Sequence, residues 1–158
     1  MQKKSQWFEN WFDTSFYHTL YQHRNDDEAH FFMNNLMNHL QVKENSSVLD
    51  LACGKGRHSI FLNKKSLNVT GVDLSEQSII HAKQFENESL HFDVHDMREV
   101  YPQQFDYVFN LFTSFGYFDD DSENQKTVNS MKSMLNEDGI LVIDFLNSIK
   151  TINNLVAK

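Results

Sequence analysis

A chain of 158 residues with 40% hydrophobic residues and a net charge of -8, from 22 acids against 14 bases, can bury one domain core and has little attraction for nucleic acid or an anionic membrane surface. The single proline argues against Pro-rich linkers, no apolar run has membrane-spanning or signal-peptide character, and the lone Cys53 excludes an internal disulfide and suits a reducing compartment. One soluble, cytoplasmic domain that binds neither nucleic acid nor membrane is the expectation.

In chain order, two helices are predicted first, over 5–24 and 26–42. In the second, Phe32, Leu36 and Leu40 recur at i, i+4 and i+8, with Met33 and Met37 alongside. These side chains read as core, and equally as the packing face of a helical lid over the open end of a sheet. The boundary at 45/46 divides this N-terminal segment, 1–45, from the remainder, 46–158. From there strand and helix alternate: strand 46–53, helix 57–65, strand 67–74, helix 76–87, strand 90–94, strand 105–112, helix from Ser122 to Gly139, strand 139–147. The 76–87 helix presents Ile79, Ile80, Ala82 and Phe85 toward one side, and the last helix turns Val128, Met131, Met134 and Leu135 inward, with Ser122 as its expected N-cap. Such apolar strands belong in a parallel sheet covered on both faces, so the fold class expected is α/β, Rossmann-like and doubly wound.

Ligands of such sheets bind beyond the carboxyl ends of the strands, where strand order reverses. There "LDLACGKGRH" places Gly54 and Gly56 in the first strand-to-helix turn, downstream of Asp50. Asp73 closes the second strand, where a carboxylate can accept both hydroxyls of a ribose; a cap on the next helix is the alternative, though Ser75 is equally placed for that. Asp96 follows the third strand and can accept from an adenine amino group, or be an ordinary loop acid. A dinucleotide site expects a third glycine where Ser59 stands, and Asp50 would repel a diphosphate; Lys55 lies between the glycines, so no P-loop is formed. The ligand implied is a nucleoside that carries positive charge. No His-Glu-x-x-His pattern occurs and His91 and His95 span a strand end, so no metal is expected. Cys53 lacks an evident His/acid pair and reads as packing.

The segments "VLDLACGKGRHS", "VTGVDLS", "FDVHDM" and "FDYVFNLFTSFGYF", over residues 46 to 146, resemble the successive motifs of the class I S-adenosylmethionine-dependent methyltransferases. The resemblance implies that Asp50, Ala52, Cys53, Gly54 and Gly56 hold the methionine part of S-adenosylmethionine, with His58 near it. It implies Asp73 with Leu74 at the ribose, Asp96 and the Met97 backbone at adenine, and Asn110, Leu111 and Phe112 beside the sulfonium. Thr113, Ser114 and Tyr117 then face a small-molecule methyl acceptor with an N or O nucleophile, and Arg24, aided by Tyr21, can pair with the cofactor's carboxylate. Ala52 replaces the first glycine of the usual pattern. The antiparallel hairpin that follows strand five in the family is missing, which points to truncation, or to an association such as a homodimer through the strand-five edge. A non-catalytic S-adenosylmethionine-binding module and a nicotinamide oxidoreductase are the rival readings.

Overall fold

A computed structural model describes Trp11, Thr14, Phe16, Thr19 and residues 26–155. Apart from those first four positions, the helix predicted over 5–24 lies outside the described residues, and Tyr21 and Arg24 with it. The elements that follow are α1 (Asp26–Leu40), β1 (Ser47–Leu51), α2 (Arg57–Asn63), β2 (Asn68–Asp73) and α3 (Glu76–Ala82), which tightens into a 3-10 turn at Lys83–Phe85. Then come β3 (Leu90–Val94), β4 (Phe105–Asn110), α4 (Asp121–Ser133), β5 (Leu135–Ile143) and α5 (Ser148–Asn153).

The strands form one sheet in the order β3-β2-β1-β4-β5, and every neighbouring pair is parallel. The chain steps from β1 to β3 in one direction and from β4 to β5 in the other, so the order reverses between β1 and β4. This is the Rossmann-like, doubly wound architecture expected. Strand periodicity distributes the core over both faces. Val48, Val69, Phe92 and Phe109 join Met33 and Leu62 on the face covered by α1, α2 and α3. Leu49, Leu51, Val72 and Val108 join Met131 of α4 and Met134, which caps its C-terminus, on the other.

Phe92 is fully buried, a burial that stabilises by roughly 2–3 kcal/mol. It fits because a Cβ on Gly71 would lie 2.6 Å from its ring, and one on Gly56 2.7 Å. At the opposite, amino-terminal edge of the sheet, Asp106 of β4 accepts from the Ser47 backbone N–H (2.8 Å), the Ser47 hydroxyl (2.9 Å) and the Asn136 amide (2.8 Å), tying β4 to β1 and β5.

Several boundaries differ from the sequence reading. Helix α4 ends at Ser133, six residues before Gly139, because Phe105 N–H bonds to the Met134 carbonyl and draws Leu135 into the sheet. Strand β5 therefore starts at Leu135 and stops at Ile143, with a register irregularity between the Leu135 and Ile140 pairings. The cap of α4 is Asp120, whose carboxylate accepts from Ser122 N–H at 2.8 Å, so Ser122 is the capped residue. Val128 and Leu135 are half-buried, while Thr127 and Ser130 are buried. Ile80 and Phe85 are exposed, because α3 ends at Ala82 and only Ile79 and Ala82 reach the core. Helix α1 packs through Met33, Phe32, Leu36 and Met37 onto the α2 side of the core, and Phe32 reaches the ring of Phe112 at the end of β4. Among the described residues β5 has no strand beyond it, and the chain that follows exposes Phe145, Leu146, Ile149 and Ile152. No helix of the described residues is long and apolar enough to cross a membrane.

Candidate cofactor site

At the carboxyl ends of β1, β2 and β4 the chain gathers a tight turn and the ends of three strands. Ala52, Gly54 and Gly56 all have left-handed φ values (66, 56 and 82°), so the chain reverses tightly from β1 into α2. A left-handed alanine costs roughly 1–2 kcal/mol, and the turn is held by bonds from Ala52 and Cys53 N–H to the Val72 carbonyl at 2.8 and 3.0 Å. The two glycines serve different ends. Gly56 is required by its φ and by the Phe92 ring behind it. A Cβ on Gly54, by contrast, would meet no atom within 4 Å, which leaves that face of the turn open to close approach.

The carboxylates around this turn are not equivalent. Asp50 is 2% exposed and accepts from the Ser59 hydroxyl at 2.6 Å. Burial pushes its carboxyl up to about 6, the Ser59 bond opposes this, and the charge of Asp73 adds to the rise. Two acids thus converge on the turn, a field that favours a cation. Asp73 accepts from Gly54 N–H and from Ser75 N–H, each at 2.8 Å. Its carboxylate therefore braces the glycine turn against the start of α3, while Ser75 itself caps that helix by accepting from Ser78 N–H. Leu74 beside it is exposed. Asp96 is gripped by Arg98, whose Nε lies 2.9 and 3.1 Å from its two oxygens. Met97 is half-buried against the α4-side core.

At the end of β4, Asn110 is fully buried and donates to the Leu51 carbonyl at 2.9 Å, bridging the point where strand order reverses. Its Oδ1, like Nδ1 of His58, is buried with no hydrogen-bond partner among the described residues, and such groups are uncommon in folded proteins. Leu111 is buried. Phe112 and Thr113 both have left-handed φ (57 and 63°). Asp144, at the end of β5, holds them there: its carboxylate accepts from Phe112 N–H at 3.0 Å and its carbonyl from Thr113 N–H at 3.3 Å. The His58 ring stacks on Phe112 with centroids 4.7 Å apart. Burial, aided by the positive charge of Arg57, lowers His58 to about 3 and keeps it neutral. Ser114 donates to the Leu111 carbonyl at 2.9 Å, Tyr117 is half-buried, and Gly116 between them turns with φ 94° against the Phe145 ring. Cys53 is buried, and burial drives its thiol upward, away from thiolate chemistry. No group of three or more His, Cys, Asp or Glu among the described residues is placed to hold a metal.

The structure thus brings together Asp50, the 52–56 turn, His58, Asp73 and the Asn110–Phe112 segment. Asp96, just beyond the end of β3, is ion-paired with Arg98, and Arg24 lies outside the described residues. Arg98 and Asp144 were not singled out from sequence, and Ser59 only as the residue in place of a third glycine. Asp144 had a signal: an acid closes β5 as Asp73 closes β2. Arg98 had one too, since an Asp accepts readily from the backbone two residues on, and Arg98 N–H does lie 3.0 Å from Asp96.

Comparison with known proteins identifies the family. A family model described as a methyltransferase domain matches residues 42–157. A putative methyltransferase of Bacillus subtilis, YqeM, is 38% identical over 113 residues, covering 69% of this chain and 46% of the relative. A glycine/sarcosine N-methyltransferase of Aphanothece halophytica is 32% identical over 129 residues, covering 77% and 46%. Among solved structures, the sugar N-methyltransferase KedS8 from Streptoalloteichus superposes with a TM-score of 0.67 at 27% identity, covering 81% of this chain and 52% of that one. The chain belongs to the class I S-adenosylmethionine-dependent methyltransferase family. It spans about half the length of the relatives it matches.

Proposed function

We propose that this chain is the cofactor-binding part of an S-adenosylmethionine-dependent methyltransferase that modifies a nitrogen, or failing that an oxygen, of a small molecule in the cytoplasm. The observation that carries the reading is the pairing of Asp50 and Asp73 across an open-faced Gly54 turn, a cation-attracting, close-approach site at the reversal of strand order. The orphaned Oδ1 of Asn110 and Nδ1 of His58 at the same edge fit a polar ligand that completes their bonding. When bound, S-adenosylmethionine supplies an electrophilic methyl group. The chain's own part is to orient and desolvate: the 52–56 turn and Asp50 take the methionine moiety, Asp73 with Leu74 the ribose, Asp96 and Met97 the adenine. Asn110, Leu111 and Phe112 line the methyl-bearing side. Thr113, Ser114 and Tyr117 meet the acceptor, whose lone pair displaces the methyl in line; a neutral amine needs no strong base for this. The names of the glycine/sarcosine and sugar N-methyltransferases support a small amine as the acceptor.

Calorimetric titration of the folded chain with S-adenosylmethionine, S-adenosylhomocysteine and NAD tests the reading. Both adenosyl ligands are expected to bind and NAD not; Asp73→Asn, which keeps an acceptor for Gly54 N–H, is expected to weaken binding on the order of tenfold. Binding of NAD alone would overturn it. A second reading, association through the outer edge of β5 as in a homodimer, is favoured by the exposed Phe145, Leu146 and Ile149. Sedimentation at increasing concentration tests it, a constant monomer mass counting against it.

A further inference from the structure

Arg98 is 9% exposed, and its side chain reaches three separate elements. Its Nε lies 2.9 and 3.1 Å from the oxygens of Asp96, Nη1 lies 2.7 Å from Oε2 of Glu123 in the first turn of α4, and the guanidinium carbon sits 4.9 Å above the Phe118 ring. The neighbouring residue is fastened to the same helix, by the Lys126–Glu99 ion pair at 2.6 Å and by the Ser130 hydroxyl on the Glu99 carbonyl. The loop after β3 is thus stitched along α4, and Arg98 is the member of that seam that also holds Asp96 and caps Phe118. Only a planar fork with several fixed donors can meet a carboxylate on two oxygens, a second carboxylate and an aromatic face together.

We propose that Arg98 is a positioning residue that couples cofactor binding at the end of β3 to the order of the acceptor loop, 113–118, and of the first turn of α4. The coupling rests on the cofactor reading above, which places Asp96 at the adenine. A ligand that engages Asp96 redistributes its bonds with Arg98, and the guanidinium passes the change to Glu123 and Phe118. Linkage makes the effect reciprocal, so an ordered acceptor loop tightens cofactor binding by the same factor.

Hydrogen exchange on the full chain, with and without saturating S-adenosylhomocysteine, reads this directly. In the unsubstituted protein the ligand is expected to slow exchange on the order of fivefold or more in 113–124 as well as in the 52–58 turn. In Arg98→Met the turn stays protected while 113–124 no longer responds, and Arg98→Lys, charged but without the fork, falls between. Glu123→Gln, which touches no residue assigned to the cofactor, is expected to lose the response in 113–124 while ligand affinity falls by no more than that same factor of about five. A purely structural Arg98 would raise exchange equally with and without ligand. The coupling is overturned if 113–124 in the unsubstituted protein ignores the bound ligand, or if the response survives in the variants; should Arg98→Met fail to fold, the other two decide. If calorimetry shows that the unsubstituted chain binds no S-adenosylhomocysteine, the cofactor reading falls and the coupling falls with it. Binding without a loop response sinks the coupling alone.

Discussion

Two aspartates on neighbouring strands sit at opposite ends of the sheet, and the protein treats them in opposite ways. Asp106, at the amino-terminal edge, receives donors from Ser47 and Asn136, and these bonds hold its carboxyl below the usual carboxylate range. Asp50, at the carboxyl-terminal edge, is more deeply buried and has the Ser59 hydroxyl on one oxygen, and burial lifts it to about 6. One acid therefore stabilises the fold in its ionised form, and the other opposes it. A buried carboxylate that costs stability is retained for something other than folding, and a cationic ligand is what would offset the cost.

The largest effect should come from within the glycine turn. Gly56→Ala forces a Cβ onto the Phe92 ring at left-handed φ, and is expected to destabilise by about 3 kcal/mol in urea unfolding. Asp106→Ala strands the donors of Ser47 and Asn136 and should cost about 2 kcal/mol while leaving S-adenosylhomocysteine affinity unchanged in calorimetry. Asp50→Asn should do the reverse. It keeps an acceptor for Ser59 and is expected to stabilise by about 1–2 kcal/mol at pH 7, with cofactor affinity lowered on the order of tenfold or more.

The sign behind that expectation has its own test. The folded carboxyl of Asp50 is raised from 3.8 to about 6, so the folded state binds more protons across that interval. Its contribution is fully favourable below about 4 and is lost as pH rises through 6. The stability difference between Asp50→Asn and the unsubstituted protein should therefore grow from pH 4 to pH 6.5. A flat difference over that range would remove the distinction between the two acids. Gly54→Ala should have the smallest effect on stability, about 1 kcal/mol from its φ, with its damage seen in cofactor affinity.

Much of the fold was legible because apolar runs and turn residues were locally unambiguous: β3 fell where "LHFDV" placed it, and the parallel, doubly wound order followed from the alternation. What misled was local sequence overruled from a distance. "MLNEDG" continues a helical pattern, yet pairing with Phe105 pulls Leu135 into β5. Three consecutive aspartates precede Ser122, and the extended backbone of Asp120 decided which residue capped α4. In the candidate site, the acids could be found as strand endings, but their partners could not. The Arg98 fork and the hold of Asp144 on Phe112 depend on side chains from elements that meet only after folding.

The ring of Phe92 lies against both Gly56 and Gly71, one in the ligand-facing turn and one in the middle of β2. In the course of divergence these three positions cannot drift separately: a lineage that keeps the phenylalanine is confined to glycine at both others, and one that trims it to a smaller residue lifts that clash, leaving the left-handed φ of Gly56 and the Ser59 hydroxyl beside Gly71 to decide what can enter. A change deep in the sheet would thus open, or forbid, new chemistry at the turn.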